Sequence, residues 1–240
     1  MPWWRRAVGA DAASLVAEPG AERGTRARHP SGRHRDGTVP PPTRWPLILH
    51  GRTPRGVDFT LRPLVREDAA EFTAVRRANA AWLGPWDATS PEERTTPRTF
   101  GELVDLFDAD ARSGRALPFA IDRDGSIVGQ LTLGNIVLGS FRSATAGYWI
   151  ARSSAGLGIT PTALAITMDY CFSVLSLHRI EVNIRPENVA SLAVVRKLGF
   201  REEGLRRRLL HIDGQWRDHL SFALTVEDLA GRAVRERLDR

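Results

Sequence analysis

The 240-residue sequence has little of three things: cysteine, lysine and long apolar runs. Its single cysteine, Cys171, excludes an intramolecular disulfide and fits a reducing compartment. No apolar stretch approaches the roughly 18 residues of a membrane helix, and the N-terminus lacks the apolar core of a signal peptide. The six histidines have neither helical metal spacing nor cysteine neighbours, which argues against a zinc site. These absences predict a cytoplasmic protein with no metal and no membrane partner.

Arginine carries almost all of the basic charge, because only Lys197 among 34 basic residues is a lysine. Half of the net charge of +6 lies in residues 1–43, which hold 11 glycines and prolines against 25 in the remaining 197 residues. With few core formers, residues 1–43 are predicted to be a disordered basic extension. It is a solvated segment, a start site placed too far upstream, or a contact for RNA. The rest is only mildly basic, so no specific nucleic-acid partner is expected.

Apolar patterning predicts one domain over residues 44–229, followed by a charged C-terminal tail at 230–240. Its elements follow the order ββααβββαβαββ, which is an α/β (α+β) arrangement around one sheet. Asp124-Gly125 predicts a hairpin turn, and Thr96-Pro97 predicts the start of the second helix. The predicted strands are 47–49, 59–64, 117–122, 127–137, 144–151, 180–185, 200–211 and 216–224, and the later helices are 160–174 and 188–198.

A glycine-containing loop lies between the fifth strand and the third helix, with the sequence Ala155-Gly156-Leu157-Gly158-Ile159-Thr160-Pro161. Two glycines allow the backbone to approach a ligand closely, and successive amides can form a nest for an anion. We expect Thr160 to cap the helix, so that its positive end faces the loop. Such a loop can hold a pyrophosphate, or it can merely turn the chain. It is neither a Walker loop nor a full dinucleotide fingerprint.

A second motif begins at Asn188, continues with Ser191 and ends with Lys197, Gly199 and Phe200. Asn188 and Ser191 share one face of the first turn of a helix. Asn188 can cap that helix, and Gly199 can end it. The two motifs together, after the strand Gly147–Ile150, resemble the GNAT superfamily of N-acetyltransferases. Trp216-Arg217-Asp218-His219 and the segment from Asn79 to Asp87 resemble its branch that acetylates the N-terminal alanine of ribosomal proteins, the Rim-type enzymes.

The resemblance implies a fold and a co-substrate. The GNAT fold has a mixed, mostly antiparallel sheet flanked by about four helices, and its co-substrate is acetyl-CoA. The strand backbone at Trp149, Ile150 and Ala151 would bind the pantetheine arm. The amide of Asn188 would also contact pantetheine, and Lys197 is expected near the rim of the cofactor. The pyrophosphate would lie on the loop residues Gly156, Leu157, Gly158, Ile159 and Thr160. The family prefers Gln or Arg where this chain has Ala155, and a small Gly or Ala where it has Thr160. The first departure removes one side-chain contact to phosphate, so we expect weaker cofactor binding rather than none.

The resemblance also implies catalytic groups. Relatives carry a Glu-Gly at the position of Glu203-Gly204, with the glutamate proposed as the base, and a hydroxyl at Ser191 near the thioester sulfur. An α-amino group has a pKa near 8, so a modest base suffices. Glu203 could instead be a solvated strand residue, and Asp87 is an alternative base or an anchor for the ammonium. Ser191 is the candidate acid. Cys171 lies at helical spacing with Met168 and Leu175, so it is interpreted as packing.

The segment between the two early helices is interpreted as a wall of the acceptor slot, formed by Asn79, Trp82, Trp86 and Asp87. The predicted function is transfer of an acetyl group from acetyl-CoA to an amine, most simply the N-terminal α-amino group of a ribosomal protein. The partner would be that protein, and the enzyme a monomer or homodimer. Two alternatives remain: acetylation of a small amine such as an aminoglycoside or polyamine, and a non-catalytic acetyl-CoA-binding module.

Overall fold

The computed structural model describes residues 44–91 and 99–238. The predictions for residues 1–43 and for Thr96-Pro97 therefore lie outside the described residues. Eight strands form one sheet in the order β1-β2-β3-β4-β5-β6-β8-β7. They are β1 Leu49–Arg52, β2 Asp58–Arg62, β3 Leu117–Arg123, β4 Ser126–Val137, β5 Ser143–Ile150, β6 Arg179–Ile184, β7 Arg201–Ile212 and β8 Gln215–Thr225. Every neighbouring pair is antiparallel except β5–β6. The predicted fold class is confirmed.

Five α-helices accompany the sheet in the described chain: α1 Ala69–Ala78, α2 Ala80–Leu83, α3 Phe100–Arg112, α4 Ile159–Ser173 and α5 Val189–Lys197. Helices α1 and α3 pack on one face, where Phe72 and Phe107 meet Trp149 of β5. Helices α4 and α5 cover the other face with a larger core that includes Met168 and Val195. No helix within the described ranges is both long and apolar enough to cross a bilayer. Cys171 is fully buried in the α4 core, as its spacing predicted.

Helix starts depend on caps that the sequence only partly indicated. Helix α3 begins after Thr99, whose side chain accepts the amide of Glu102 while Glu102 binds the amide of Thr99. Helix α4 begins after Gly158, which adopts a left-handed conformation with φ +84° and offers no side-chain cap. The prediction that Thr160 caps α4 is therefore wrong, because Thr160 already lies in its first turn. The Asp124-Gly125 turn, with φ values of 54° and 78°, is as predicted.

The C-terminal segment is not a tail as far as it is described. A 3-10 helix spans Val234–Arg237, and the side chains of Val234 and Leu238 are buried in the α4–α5 core. The amide of Val234 donates to Asp169 of α4 at 2.6 Å, and the Arg237 guanidinium donates to the carbonyl of Leu198 at 2.7 Å. The domain therefore extends beyond the predicted boundary at 229, because Val234 and Leu238, four residues apart among charged neighbours, complete this core.

Candidate active site

A cleft opens between β5 and β6 because the two parallel strands pair over only three residues. The last pair joins Thr145 to Glu181, after which β5 continues to Ile150 and β6 to Ile184 without pairing. Unpaired backbone groups therefore line both walls of the cleft. The hydroxyl of Tyr148 lies 3.4 Å from the carbonyl of Ser191 and links β5 to α5. Burial raises the pKa of Tyr148, so this phenol keeps its proton.

Backbone groups at the end of β5 alternate between β4 and the cleft. The amide of Ala151 donates to Val128 of β4 at 2.7 Å, and the carbonyl of Trp149 lies against Gly129 of β4. Ile150 therefore directs its backbone groups towards the cleft, as does Tyr148. The indole of Trp82 donates to the carbonyl of Ile150 at 3.0 Å. Of the three predicted strand contacts, only the backbone of Ile150 faces the cleft, and no acceptor for its amide is found in the part of the chain that the structure describes.

The glycine loop brings bare amides to the N-terminal end of α4. Gly156 and Gly158 both have positive φ, at 77° and 84°, where an L side chain would be strained. No side chain of the described chain caps the helix at Gly158, so the first amides of α4 face the loop without a side-chain acceptor. Ile159 and Thr160 are buried and anchor the loop to the core. The residues therefore fit an anionic diphosphate.

Helix α5 presents Asn188 and Ser191 together at its N-terminal end. Asn188 caps the helix by accepting the amide of Ser191 at 3.1 Å. The side-chain nitrogen of Asn188 and the hydroxyl of Ser191 have no partner within the described ranges, so both can bind a ligand. Lys197 is exposed at the other end of α5, about 13 Å along the helix axis from Asn188. The structure therefore does not bring Lys197 together with the other predicted cofactor residues.

A segment from Asn79 to Thr89, here called the strap, crosses the open end of the cleft. Asn79 accepts the amide of Arg152 after β5 at 2.8 Å, and the carbonyl of Pro85 accepts Arg185 after β6 at 2.8 Å. The Arg185 guanidinium lies 5.3 Å from the ring centroid of Trp86. The strap ends on β7, where the amide of Thr89 donates to the carbonyl of His211 at 2.8 Å. It thus covers the position where the sequence placed the acceptor slot.

Asp87 of the strap is ion-paired with Arg76 of α1. Burial raises the pKa of Asp87, and the Arg76 charge opposes that rise. The Arg76 guanidinium lies 5.0 Å from the Trp149 ring, and its Nη1 is buried with no hydrogen-bond partner among the described residues. The Asp87 carboxylate, a predicted acceptor-slot residue, is therefore occupied by a guanidinium.

Glu203 lies away from the open end of the cleft. It accepts Arg179 at 2.9 Å and Arg201 at 3.1 Å, and Arg179 belongs to the first residue pair that closes β5 against β6. The Arg179 hydrogen bond, with help from Arg201, lowers the pKa of Glu203 to about 2. A carboxylate that holds its proton so weakly is a poor general base near neutral pH. The surroundings of Glu203 therefore argue against the predicted catalytic role.

His219 belongs to the Trp216–His219 motif, but the sequence assigned it no role. His219 lies on β8 one residue beyond the Ile184–Leu220 pair, where β6 ends, and it is close enough to Arg185 for that charge to act on the imidazole. It is 3% exposed, and its Nδ1 donates to the carbonyl of Arg217 at 3.0 Å. Burial lowers its pKa, and the charge of Arg185 lowers it further. The ring is thus held neutral with the lone pair on Nε2. Nothing in the local sequence signalled this, since burial on a strand depends on its neighbours.

Comparison with known proteins identifies the family. A family model described as an acetyltransferase (GNAT) domain matches residues 58–201. The chain is 34% identical to the ribosomal protein uS5 alanine N-acetyltransferase of Escherichia coli, over 67% of this chain and 84% of that protein. It is 30% identical to spermidine N(1)-acetyltransferase of Escherichia coli, over 71% and 88% respectively.

Among solved structures, Mycobacterium smegmatis RimJ in complex with CoA-disulfide is 44% identical, with a TM-score of 0.74. The match covers 81% of this chain and 94% of that one. The cleft, the glycine loop and α5 occupy the region that the family model matches. The chain therefore belongs to the GNAT acetyltransferase family and is an N-acetyltransferase.

Proposed function

We propose that the enzyme transfers the acetyl group of acetyl-CoA to the N-terminal α-amino group of a protein, namely a ribosomal protein. Support for acetyl-CoA comes from the uncapped α4 loop, the amide of Ile150 that faces the cleft, and the CoA complex of the 44% identical relative. Support for the acceptor comes from the relative that acts on alanine of ribosomal protein uS5. The slot itself adds a further argument.

The observation that carries the choice of acceptor is the pairing of polar groups around the slot. The carboxylates beside the strap are bound to guanidinium groups: Asp87 to Arg76, and Glu187 to Arg185. In contrast, two buried donors, Arg76 Nη1 and Arg217 Nε, have no acceptor among the described residues. A polyamine offers only cationic donors, whereas a peptide offers carbonyl oxygens. The slot thus suits a peptide better than a polyamine.

The chemistry requires a proton acceptor and a proton donor. The neutral amine attacks the thioester carbonyl carbon, a C–N bond forms, the C–S bond breaks, and the amine loses one proton while the thiolate gains one. We assign His219 Nε2 as the acceptor of the amine proton, directly or through water. We assign the Ser191 hydroxyl as the donor of the proton that the thiolate gains. Tyr148 is less suited, since its hydroxyl is committed to Ser191 and burial raises its pKa. Glu203 and Asp87 remain the alternatives as base.

The decisive experiment incubates the enzyme with labelled acetyl-CoA and a ribosomal fraction from a strain that lacks it, and maps the label by mass spectrometry. We expect one acetylated protein N-terminus. Spermidine and an aminoglycoside, tested in parallel at millimolar concentration, distinguish the small-amine alternative, which the 30% identical spermidine acetyltransferase keeps in consideration. Binding of acetyl-CoA without transfer to any acceptor would instead indicate a non-catalytic module.

A further inference from the structure

The turn between β1 and β2 lies directly against the glycine loop. Its backbone is fixed by hydrogen bonds from the amide of Thr53 to Val57 at 2.9 Å and from the amide of Gly56 to Thr53 at 2.8 Å. Thr53 is 3% exposed, and its Cβ would lie 3.5 Å from a Cβ placed on Gly158. The turn is therefore well ordered and packs on the residue that begins α4.

Arg55, at the tip of this turn, reaches the loop from outside. Its Nη1 donates to the carbonyl of Gly156 at 2.6 Å, while the side chain remains exposed. A guanidinium has five N–H donors, and no other contact of this side chain is recorded among the described residues. Arg55 thus places a positive charge beside the loop and keeps donors for an anion.

The glycine loop has no charged side chain. Residues 155–160 are Ala, Gly, Leu, Gly, Ile and Thr, so the side chains supply neither a cation nor a long donor. Amides at a helix terminus stabilise a diphosphate only partly, and a nearby guanidinium adds charge-assisted hydrogen bonds. Ala155 offers only a methyl group at the start of the loop, and Arg55 contacts Gly156, the next residue of the chain.

We propose that Arg55 binds the diphosphate of CoA and supplies, from the β1–β2 turn, the contact that Ala155 cannot make. This inference rests on the proposed use of acetyl-CoA. It assigns a cofactor contact to a residue outside the cleft, α4 and α5, and it explains why the turn is fixed against Gly158. Cofactor binding thereby requires the N-terminal hairpin as well as the glycine loop.

The test measures dissociation constants by calorimetry for CoA, dephospho-CoA and pantetheine with the full-length protein. Arg55→Gln is expected to raise the dissociation constants of CoA and dephospho-CoA about tenfold, because a charged hydrogen bond is lost. The constant for pantetheine, which lacks the diphosphate, should not change. The matched control is Arg52→Gln, which removes an equal charge from the same hairpin; Arg52 is paired with Asp58 at 3.0 Å.

A rescue variant separates charge from structure. Adding Ala155→Arg to Arg55→Gln should recover CoA affinity, since the guanidinium returns to the loop from another position. Equal affinity of Arg55→Gln and Arg52→Gln for CoA would overturn the proposal, as would an equal loss for pantetheine. A loss for CoA but not for dephospho-CoA would contradict the diphosphate assignment. If the wild-type protein binds none of the three, the proposed function fails instead.

Discussion

At the scale of single residues, the roles of His219 and Glu203 are the most sharply separable. Their surroundings differ: His219 is buried and its pKa is lowered by that burial, whereas Glu203 is ion-paired with Arg179, where β5 and β6 pair. The charged groups around His219 are Arg185 of the β6 end, Glu187 before α5 and Asp218 of β8. Arg206 of β7 lies opposite His219 in the sheet.

His219→Gln is expected to lower kcat by about a hundredfold, the lower range for loss of a general base. In the wild type, activity should fall as the pH drops through the pKa of His219, which burial places below its ordinary value of 6.5. The variant should lose this acidic limb and keep the rise caused by deprotonation of the amine near pH 8. Rate profiles between pH 5 and 9 measure both effects.

Glu203→Gln is the matched comparison. Because the pKa of Glu203 is lowered to about 2, its carboxylate stays ionised throughout that pH range. Glu203→Gln should therefore leave the shape of the pH–rate profile unchanged. If Glu203→Gln alters the profile and His219→Gln does not, the assignment of the base is reversed.

At the scale of elements, helix α3 shows how a cap determines where a helix begins. Thr99 and Glu102 satisfy each other's backbone amides, which otherwise lack partners in the first turn. Thr99→Ala is expected to lower the free energy of unfolding by about 1 kcal/mol. Thr99→Ser keeps the oxygen and should cost far less. Urea unfolding followed by circular dichroism measures the difference. Equal stability of Thr99→Ala and the wild type would show that the Thr99 cap does not stabilise the protein.

Some element boundaries could be predicted from the sequence, and others could not. The Asp124-Gly125 hairpin was predictable, since turn chemistry is local. The start of α4 was misplaced, because a left-handed glycine took the cap position from Thr160. The pairing of Glu203 with Arg179, 24 residues away, depends on strand order and had no sequence signal. Residues of the site were therefore found by motif, and their chemical states only by tertiary contacts.

At the scale of the whole molecule, the C-terminal segment decides the extent of the domain. Leu238 is 6% exposed and packs with Val234 in the α4–α5 core. Leu238→Ala is expected to destabilise the protein by about 2 kcal/mol through the lost burial and the resulting cavity. The control Arg235→Ala changes a largely exposed side chain and should stay within about 0.5 kcal/mol. Thermal unfolding compares the two variants. Equal effects would show that burial of Leu238 does not stabilise the domain, as expected for a tail.

The alternation of backbone groups along β5 makes each amide a separate reporter. In the free enzyme, the amide of Ala151 is held by β4, whereas that of Ile150 faces the cleft. Hydrogen exchange measured residue by residue should therefore be slow at Ala151 and fast at Ile150. Acetyl-CoA should slow exchange at Ile150 and leave Ala151 unchanged; equal rates at both residues would contradict the divergence of β5 from β6. Because only alternate amides of this part of β5 face the cleft, the exchange rates of those amides alone would report whether the cleft is occupied.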